Sequence, residues 1–344
     1  MLEKFERIKL GHFPTPIEHL KNISKYLGGP NLFIKRDDCT GLATGGNKTR
    51  KLEFLIPDAI KNKAELVITV GAVQSNHARQ TAAACTLMGL KCLIILEQRL
   101  KDPPEAYMNS GNIFLDKLFG ADIKICPRDE NITHYSSKIV EDLKSKGANV
   151  YFIPAGGSNS VGALGYVECL NEIIKENNKY NFTQIVHATG SSGTQSGLLA
   201  GRKYFNCNIP VTGISVMHDK ATQENKVFTE ARNACNKLQC KILDKSEVVV
   251  YDDYVGPGYG EPTDGMIEAT KLLAKKEAIL LDPVYSGKGF AGLIDLVKNK
   301  KFKKNDNVLF IHTGGSVSLF AYEWAFREKI NTRTDRFYEE NKEE

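Results

Sequence analysis

Short apolar runs rich in β-branched residues recur along the chain, separated by polar and often glycine-rich segments. The runs are LFIKR at 32–36, LVITV at 66–70, CLIILE at 92–97, VYFIP from 150, QIVHA at 184–188, VTGISV at 211–216, EVVVY at 247–251 and NVLFIHT at 307–313. Between most of them apolar residues recur at helical spacing, as in 78–88, 161–174 and 264–273. Strands that alternate with helices are typical of parallel sheets built from right-handed crossovers, so the sequence predicts an α/β fold.

Length and composition indicate a globular protein of two domains. The chain has 344 residues, of which 42% are hydrophobic and 25% are charged. Disordered chains have fewer apolar residues and a higher charge density than this. A membrane span needs roughly 18 consecutive apolar residues, which no run approaches, so no membrane association is expected.

The cysteines and the start of the chain indicate a reduced, cytoplasmic protein. None of the eight cysteines forms a Cys-x-x-Cys pair, and no Cys/His spacing predicts a zinc site, so no metal is expected. The start, MLEKFERIKLGHF, lacks the apolar middle of a signal peptide.

The net charge of +5 gives little support for a nucleic-acid partner. The densest basic stretch, KNKKFKKND at 298–306, lies between an apolar helical segment and an apolar strand. This position favours a solvated turn over a phosphate-binding patch, so no nucleic-acid partner is expected. The acidic end, EENKEE, is expected to fray.

Polar loops that follow the predicted strands are the places to look for a ligand, because open parallel sheets bind ligands beyond the carboxyl ends of their strands. The loops that stand out are CTGLATGGNKTRK at 39–51, GAVQSNH at 71–77, TGSSGTQSG at 189–197, DPVYSGK at 282–288 and HTGGS at 312–316. Several Gly/Ser/Thr loops at one sheet edge predict a single ligand that carries an anionic group.

The loop TGSSGTQSG lies between a strand and a helix, where small residues let backbone N–H groups approach an anion. Its glycines do not have the dinucleotide-binding spacing G-x-G-x-x-G. A phosphate monoester suits so compact a loop better than a pyrophosphate does. A flexible turn with no ligand is the alternative interpretation.

Lys48 follows GGN at the start of an apolar helix, TRKLEFLI. The phosphate loop of nucleotide hydrolases requires lysine directly after its second glycine, but here Asn47 intervenes. A lysine at such a helix start can be desolvated, and the lowered pKa that results is what Schiff-base chemistry needs. The alternative is an ordinary surface lysine.

Other loops offer hydroxyl groups. Ser75 in QSNH is most simply interpreted as a helix cap; the alternative is a group that binds the carboxylate of a ligand. His77 is expected to pack rather than to act as a base. The glycine-rich loop GPGYGEPTDG at 256–265 carries Tyr259, and DPVYSGK carries Tyr285. No G-x-S-x-G occurs, so a Ser-His-Asp hydrolase is not predicted.

The combination of GGNKTRKLEFL, QSNHARQTAAA, ATGSSGTQSGL, GPGYGEPTDG and LDPVYSGKG resembles the D-cysteine desulfhydrase / 1-aminocyclopropane-1-carboxylate (ACC) deaminase family, from about Leu10 to about Phe326. Its members are pyridoxal 5′-phosphate (PLP) enzymes of fold type II, the tryptophan-synthase-β-like architecture. The resemblance implies two open, twisted, mostly parallel sheets flanked by helices. It also implies a small domain at 52–160, inserted into a large PLP-binding domain at 1–51 and 161–344, and a homodimer.

The resemblance assigns residues as well. Lys48 would bind the cofactor covalently, Lys51 its phosphate and Asn76 its phenolic oxygen. Gln74 and Ser75 would face the substrate carboxylate, and Tyr259 and Tyr285 would flank the reacting carbon. The implied catalytic residues are Lys48, Ser75, Tyr259 and Tyr285; the cofactor-binding residues are Lys48, Lys51, Asn76, Ser192, Gly193, Thr194, Gln195, Ser196, Gly197 and Thr313; the substrate-binding residues are Gln74, Ser75, Asn76 and Ser286.

Two positions bear on the substrate. The deaminase branch carries Glu and Leu where this chain has Ser286 and Thr313, the desulfhydrase-like pattern. A carboxylate at the pyridine nitrogen makes a strong electron sink for ring opening, whereas a hydroxyl suffices when the β-substituent is a good leaving group. The prediction is β-elimination of D-cysteine to pyruvate, hydrogen sulfide and ammonia, with the Lys48 amine as base. The alternatives are an L-cysteate sulfo-lyase, an ACC deaminase and, in a different class, a non-catalytic ligand-binding α/β protein.

Overall fold

The computed structural model describes residues 2–327, so EENKEE lies outside the described part. The strands in chain order are β1 (Ile17–His19), β2 (Asn31–Arg36), β3 (Leu66–Ala72), β4 (Lys91–Glu97), β5 (Asp122–Cys126), β6 (Val150–Ile153), β7 (Gln184–Thr189), β8 (Val211–Ser215), β9 (Val249–Tyr251) and β10 (Asn307–His312). They form a six-stranded sheet of order β1-β2-β10-β7-β8-β9 and a four-stranded sheet of order β5-β4-β3-β6. All neighbours are parallel except β1 and β2.

Every predicted strand is present, and the α/β prediction is confirmed. The strands that the pattern missed are β1 and β5. Strand β1 has three residues at the edge of its sheet, and β5 (DIKIC) mixes charged and apolar residues and is buried only at Cys126. Neither strand therefore carries the continuous apolar run of a strand that is buried on both faces.

Helices connect the strands. In chain order they are α1 (Lys21–Leu27), α2 (Lys48–Lys61), α3 (Asn76–Leu87), α4 (Glu105–Asn109), α5 (Asn112–Leu118), α6 (Ile132–Ser145), α7 (Leu164–Tyr180), α8 (Gly193–Tyr204), α9 (Lys220–Leu238), α10 (Asp264–Glu277), α11 (Ser286–Lys298) and α12 (Ser318–Ala321). The predicted start of α7 at 161 is three residues early, because the side chain of Asn159 accepts the N–H groups of Val161 and Gly162 in a turn. The basic stretch between α11 and β10 is an exposed turn, as predicted.

Each sheet is covered by helices on both faces, which follows from the alternation of side chains along a strand. In β7, Ile185 packs with α7, α8 and α9, whereas the next residue, Val186, packs with α10 and α11. In β3, Val67 packs with α2 and α3, whereas Ile68 packs with α6. The smaller sheet lies entirely within residues 66–153; the domain boundaries at 51/52 and 160/161 stay a prediction.

Helix α2 is fixed by a buried network of charges. The Arg50 guanidinium donates to both carboxylate oxygens of Asp37 at 2.8 Å and to both of Glu172 at 2.8 Å. Lys35 donates to Glu172 at 2.7 Å, and the Tyr166 hydroxyl donates to Asp37 at 2.7 Å. The network therefore ties α2 to β2 and α7. Because every charge is paired, removing one partner would leave another buried charge uncompensated.

Asp116, on α5, is buried without a hydrogen-bond partner for either carboxylate oxygen. Burial raises the pKa of Asp116 to about 8, although the positive charge of Arg79 opposes the shift. The folded state therefore holds a proton that the unfolded chain releases near its ordinary pKa of 3.8. Asp116 thus lowers the free energy of unfolding progressively as the pH rises from about 4 to about 8.

We expect Asp116→Asn to reduce the pH dependence of stability, because an amide cannot ionise. Between pH 5 and pH 8 the wild-type protein should lose on the order of a few kcal/mol more than the variant does. Thermal unfolding at both pH values measures this difference, with the exposed Asp129→Asn as the matched control. A variant that loses as much stability as the wild type would contradict the burial argument.

Candidate active site

A cavity lies where the carboxyl ends of β7 and β10 meet the first turns of α2, α3 and α8. Side chains and backbone from loops predicted to bind a ligand come together in its wall. The lining residues are Asn47, Lys48, Asn76, Ala188, Thr189, Gly190, Ser191, Ser192, Thr194, Tyr285 and Thr313.

The loop at 190–194 forms one end of the cavity. Ser192 has a φ of 73°, a conformation that turns the chain sharply into α8. A Cβ on Gly193 would lie 2.7 Å from Lys51 Nζ and 2.7 Å from Ser158 Oγ, so a larger residue would displace both groups. The Ser158 hydroxyl accepts the Gly193 N–H at 3.1 Å and donates to Ser191 Oγ at 3.0 Å. The small residues of this loop, the start of α8 and the Lys51 amine together suit an anionic group at this end of the cavity.

Two lysines of α2 meet beside this loop. Both are buried, and Lys51 Nζ donates to the Gly156 carbonyl at 2.8 Å. Burial lowers the pKa of Lys48 to about 8, with a hydrogen bond to Lys51 opposing the shift. Burial, followed by the charge of Lys48, lowers the pKa of Lys51 well below its usual range. A lysine that is neutral in an appreciable fraction near neutral pH is a competent nucleophile.

The end of β10 is packed tightly against the start of α2. The Asn47 N–H donates to the Thr313 carbonyl at 3.0 Å, and the Asn47 side chain donates to Thr194 Oγ at 3.2 Å. A Cβ on Gly314 would lie 2.8 Å from the Cα of Gly46. Gly46 and Gly314 therefore allow the end of β10, which carries Thr313, to lie close to the residues just before Lys48.

Helix α3 starts beside the cavity. The Ser75 hydroxyl accepts the Ala78 N–H at 3.1 Å, so its capping role is confirmed and its role toward substrate stays a prediction. Asn76 lines the cavity, and its side-chain oxygen Oδ1 accepts from Arg79 at 3.2 Å and from the Asn112 side-chain amide at 3.1 Å. His77 is buried and shares a hydrogen bond of 2.8 Å with Thr69, as packing predicts.

The two predicted tyrosines are brought together. Their hydroxyls form a hydrogen bond, and their rings pack edge to face with centroids 5.7 Å apart. Burial raises the pKa of Tyr285 to about 12 and that of Tyr259 well above its usual range, so both remain protonated near neutral pH. Tyr285 lines the cavity, whereas Tyr259 stands behind it.

The Gln74 side chain is bonded to the segment that carries α4 and α5. Its amide nitrogen donates to the Tyr107 and Ser110 carbonyls at 2.6 and 2.9 Å, and its oxygen accepts the Asn112 N–H at 2.9 Å. These bonds join the residues just before α3 to that segment. The predicted contact of Gln74 with the substrate stays a prediction.

Three residues of the predicted phosphate loop also point elsewhere. Gln195 donates to the Val249 carbonyl at 2.9 Å, across the sheet. The Ser196 hydroxyl is buried with no hydrogen-bond partner, and Gly197 allows α8 to pack closely against Tyr166 of α7. The loop that faces the cavity ends at Thr194, because the helix turns the following side chains into the core.

Ser286 is buried in a local turn instead of lining the cavity. Its hydroxyl donates to Asp282 Oδ1 at 2.6 Å and accepts the Asp282 N–H at 2.8 Å. The Asp282 carboxylate also accepts the N–H groups of Val284, Tyr285 and Ser286. Ser286 therefore fixes the backbone at Tyr285, and its predicted contact with the substrate stays a prediction.

The sequence interpretation does not assign several residues that contact the site. In sequence, Asn47 is only an interruption of a phosphate-loop motif. Ser158 follows β6 in AGGSNS, a loop of the same type as those singled out, so its composition was a usable signal. Lys288 ends the singled-out loop DPVYSGK, but its partners give no sequence signal: its Nζ donates to the carbonyls of Val255 and Gly258 at 2.7 and 2.9 Å, and these lie far from it in the chain.

Among residues 2–327, no group of three or more His, Cys, Asp or Glu could hold a metal ion. No helix in that part of the chain is long and apolar enough to cross a bilayer.

The cavity fits an aldehyde cofactor that carries a phosphate. Lys48, whose pKa is lowered to about 8, supplies an amine for covalent attachment. The loop at 190–194 supplies backbone N–H groups, and Lys51 supplies an amine. The two lie so close together that a Cβ on Gly193 would come within 2.7 Å of Lys51 Nζ. PLP has both of the groups that this arrangement suits.

Comparisons with known proteins agree with this geometry. The family model described as pyridoxal-phosphate dependent enzyme matches residues 8–314. The crystal structure of an ACC deaminase homologue is 37% identical, with a TM-score of 0.87, and the match covers 96% of this chain and 98% of that chain.

More distant structures share the fold. An O-ureido-L-serine synthase is 14% identical, with a TM-score of 0.69 and coverage of 96% and 97%. A hydrogen sulfide-producing enzyme from Fusobacterium nucleatum is 17% identical, with a TM-score of 0.63 and coverage of 90% and 96%.

The chain belongs to the family of pyridoxal-phosphate dependent enzymes with fold type II, and within it to the ACC deaminase/D-cysteine desulfhydrase type. Its cofactor is PLP, and it is an enzyme, so the interpretation as a non-catalytic binding protein is wrong.

We expect Gly193→Ala to weaken cofactor binding by roughly tenfold or more, because the added Cβ would displace Lys51 Nζ and the Ser158 hydroxyl. Titration of the apo-protein with PLP, followed by absorbance, measures the dissociation constant. Gly265→Ala is the matched control, since it also lies in a first helical turn but its Cβ would meet only Ala291 at an ordinary 3.8 Å. Equal affinities for the two variants would show that the loop does not hold the phosphate.

The rate at which PLP attaches to the apo-protein should rise with pH. Only the neutral amine is nucleophilic, and burial lowers the pKa of Lys48 to about 8. We therefore expect a sigmoidal increase with a midpoint near pH 8, measured by stopped-flow absorbance. A midpoint near the usual lysine value of 10.5 would mean that Lys48 is not desolvated.

Proposed function

We propose that this enzyme is a D-cysteine desulfhydrase, which converts D-cysteine and water to pyruvate, hydrogen sulfide and ammonia. One observation carries the proposal: Thr313 lines the cavity, and no lining residue is a carboxylate. The nearby Asp282 does not supply one, because its oxygens are occupied by backbone N–H groups and by Ser286. A cavity lined by Thr313 and by no carboxylate suits a substrate whose β-substituent leaves readily, as the sulfur of cysteine does.

PLP, when bound, supplies an electron sink for negative charge at the substrate's α-carbon. The residues of the chain supply the proton transfers. Lys48 takes the α-proton, since its amine lies in the cavity wall and its pKa of about 8 matches a base that works near neutral pH.

The tyrosine pair holds a proton for the leaving group. D-Cysteine reacts as its thiolate. The C–S bond breaks and its electron pair leaves with the sulfur, which would otherwise depart as the strongly basic sulfide dianion; the sulfur takes a proton from the Tyr259–Tyr285 pair and leaves as hydrosulfide. The raised pKa values of both phenols keep that proton in place until the sulfur departs. Ser286 supports the step indirectly, because its contacts with Asp282 fix the backbone of Tyr285.

The identity of the substrate is tested by the products. Purified holoenzyme is offered D-cysteine, L-cysteate and ACC in separate assays, and the keto acid and the sulfur species are quantified. We expect pyruvate and sulfide in equal amounts from D-cysteine. Sulfite from L-cysteate without sulfide from D-cysteine would move the assignment to a sulfo-lyase. 2-Oxobutyrate from ACC alone would make the enzyme a deaminase and contradict the argument from Thr313.

Lys48→Ala should lower sulfide release by roughly a thousandfold or more and remove the absorbance of covalently bound cofactor, because no amine is left at that position. The matched control is Lys61→Ala, which changes an exposed lysine at the other end of the same helix. A Lys48→Ala protein that retained both signals would contradict the proposed role of Lys48.

A further inference from the structure

A positive charge lies over the tyrosine pair. The guanidinium carbon of Arg99 is 4.6 Å from the centroid of the Tyr259 ring. The Tyr259 hydroxyl is hydrogen bonded to that of Tyr285, which lines the cavity. The Arg99 charge therefore contacts the tyrosine pair on its Tyr259 side, while Tyr285 faces the cavity. None of the proposed proton transfers uses this charge.

Arg99 is held independently of the tyrosines. Its Nε donates to Glu97 Oε2 at 2.7 Å, and Glu97 is the last residue of β4 in the smaller sheet. Its Nη1 lies 3.9 Å from the sulfur of Met217, which follows β8 of the larger sheet. The cation thus comes from the smaller sheet and reaches across to a tyrosine from the other part of the molecule.

The loop that carries Tyr259 is fixed from the opposite side. The hydroxyl of Tyr322, which is fully buried, donates to the Gly260 carbonyl at 2.9 Å. Lys288 donates to the Gly258 carbonyl at 2.9 Å. Because the backbone on both sides of Tyr259 is anchored, the Arg99 guanidinium meets a ring whose position is already defined.

We propose that Arg99 is a positioning residue that holds Tyr259 against Tyr285 and stabilises the negative charge left on the pair once the departing sulfur has taken its proton. This inference rests on the proposed desulfhydrase function. A cation over an aromatic face is attracted more strongly when the ring becomes anionic, so Arg99 favours the state after proton transfer over the state before it. The pair then regains its proton from water.

The leaving group provides the test. Chloride departs without a proton, so β-chloro-D-alanine needs no donor, whereas D-cysteine does. We expect Arg99→Gln to lower kcat for D-cysteine on the order of tenfold and to leave kcat for β-chloro-D-alanine nearly unchanged. Arg99→Lys, which keeps the charge, should recover part of the loss. Arg202→Gln is the matched control, since it removes another partly buried arginine near a glutamate, Glu247.

A double-mutant cycle tests whether Arg99 acts through Tyr259. In a Tyr259→Phe background, Arg99→Gln should cost less than twofold, because the hydroxyl it serves is absent. Protein labelled with ¹³Cζ-tyrosine adds a readout without turnover. The resonance assigned to Tyr259 by its loss in Tyr259→Phe should shift in Arg99→Gln and not in Arg202→Gln.

Several results would overturn the inference. They are an equal loss of kcat on both substrates, an effect confined to KM, additivity with Tyr259→Phe, and an unshifted Tyr259 resonance. An effect on KM alone would mean that Arg99 binds substrate. If the wild-type holoenzyme releases no sulfide from D-cysteine, the proposed function fails and the inference fails with it. If sulfide is released and Arg99→Gln matches the wild type, only the inference fails.

Discussion

The buried charge network around Arg50 is the interaction on which the rest of the structure depends. Arg50 lies two residues after Lys48 and one before Lys51, on the helix that runs from the larger sheet to the smaller one. Its ion pairs with Asp37 and Glu172 fix the rotation of that helix. With the helix fixed, Lys48 lines the cavity and Lys51 is buried beside the loop at 190–194. Since each charge in the network has a partner, the arrangement avoids the large cost of an unpaired buried ion.

Close backbone approach completes the site. Gly193 lets Lys51 reach the loop before α8, and Gly314 lets the end of β10 reach the start of α2. These contacts bring together groups from several strand ends around two desolvated amines. Desolvation then sets the chemistry: it lowers the pKa of Lys48 to about 8 and raises that of Tyr285 to about 12. A base and a proton donor thus coexist near neutral pH, because burial disfavours the charged form of each.

Central strands were predictable because each is buried on both faces and leaves a continuous apolar run, as in NVLFIHT. Lys48 was predictable because glycines and an apolar helix flank it. The side chains of Gln74, Gln195 and Ser286 do not line the cavity, for one shared reason. Each lies one or two residues from a cavity residue, but its direction is set by partners elsewhere: the backbone of 107–112, the Val249 carbonyl and Asp282. Arg99 gave no signal at all, because its meeting with Tyr259 depends on how the loops from the two sheets approach one another.

We propose that the fold directs Lys48, among several buried lysines, toward the cofactor. Lys51 and Lys288 are also buried and have lowered pKa values, so the choice is not a matter of basicity alone. The direct measurement is borohydride reduction of the holoenzyme followed by peptide mapping with mass spectrometry. We expect one pyridoxyl group per chain, on Lys48. A pyridoxyl group on Lys51, on Lys288 or spread over several lysines would contradict this role of Lys48.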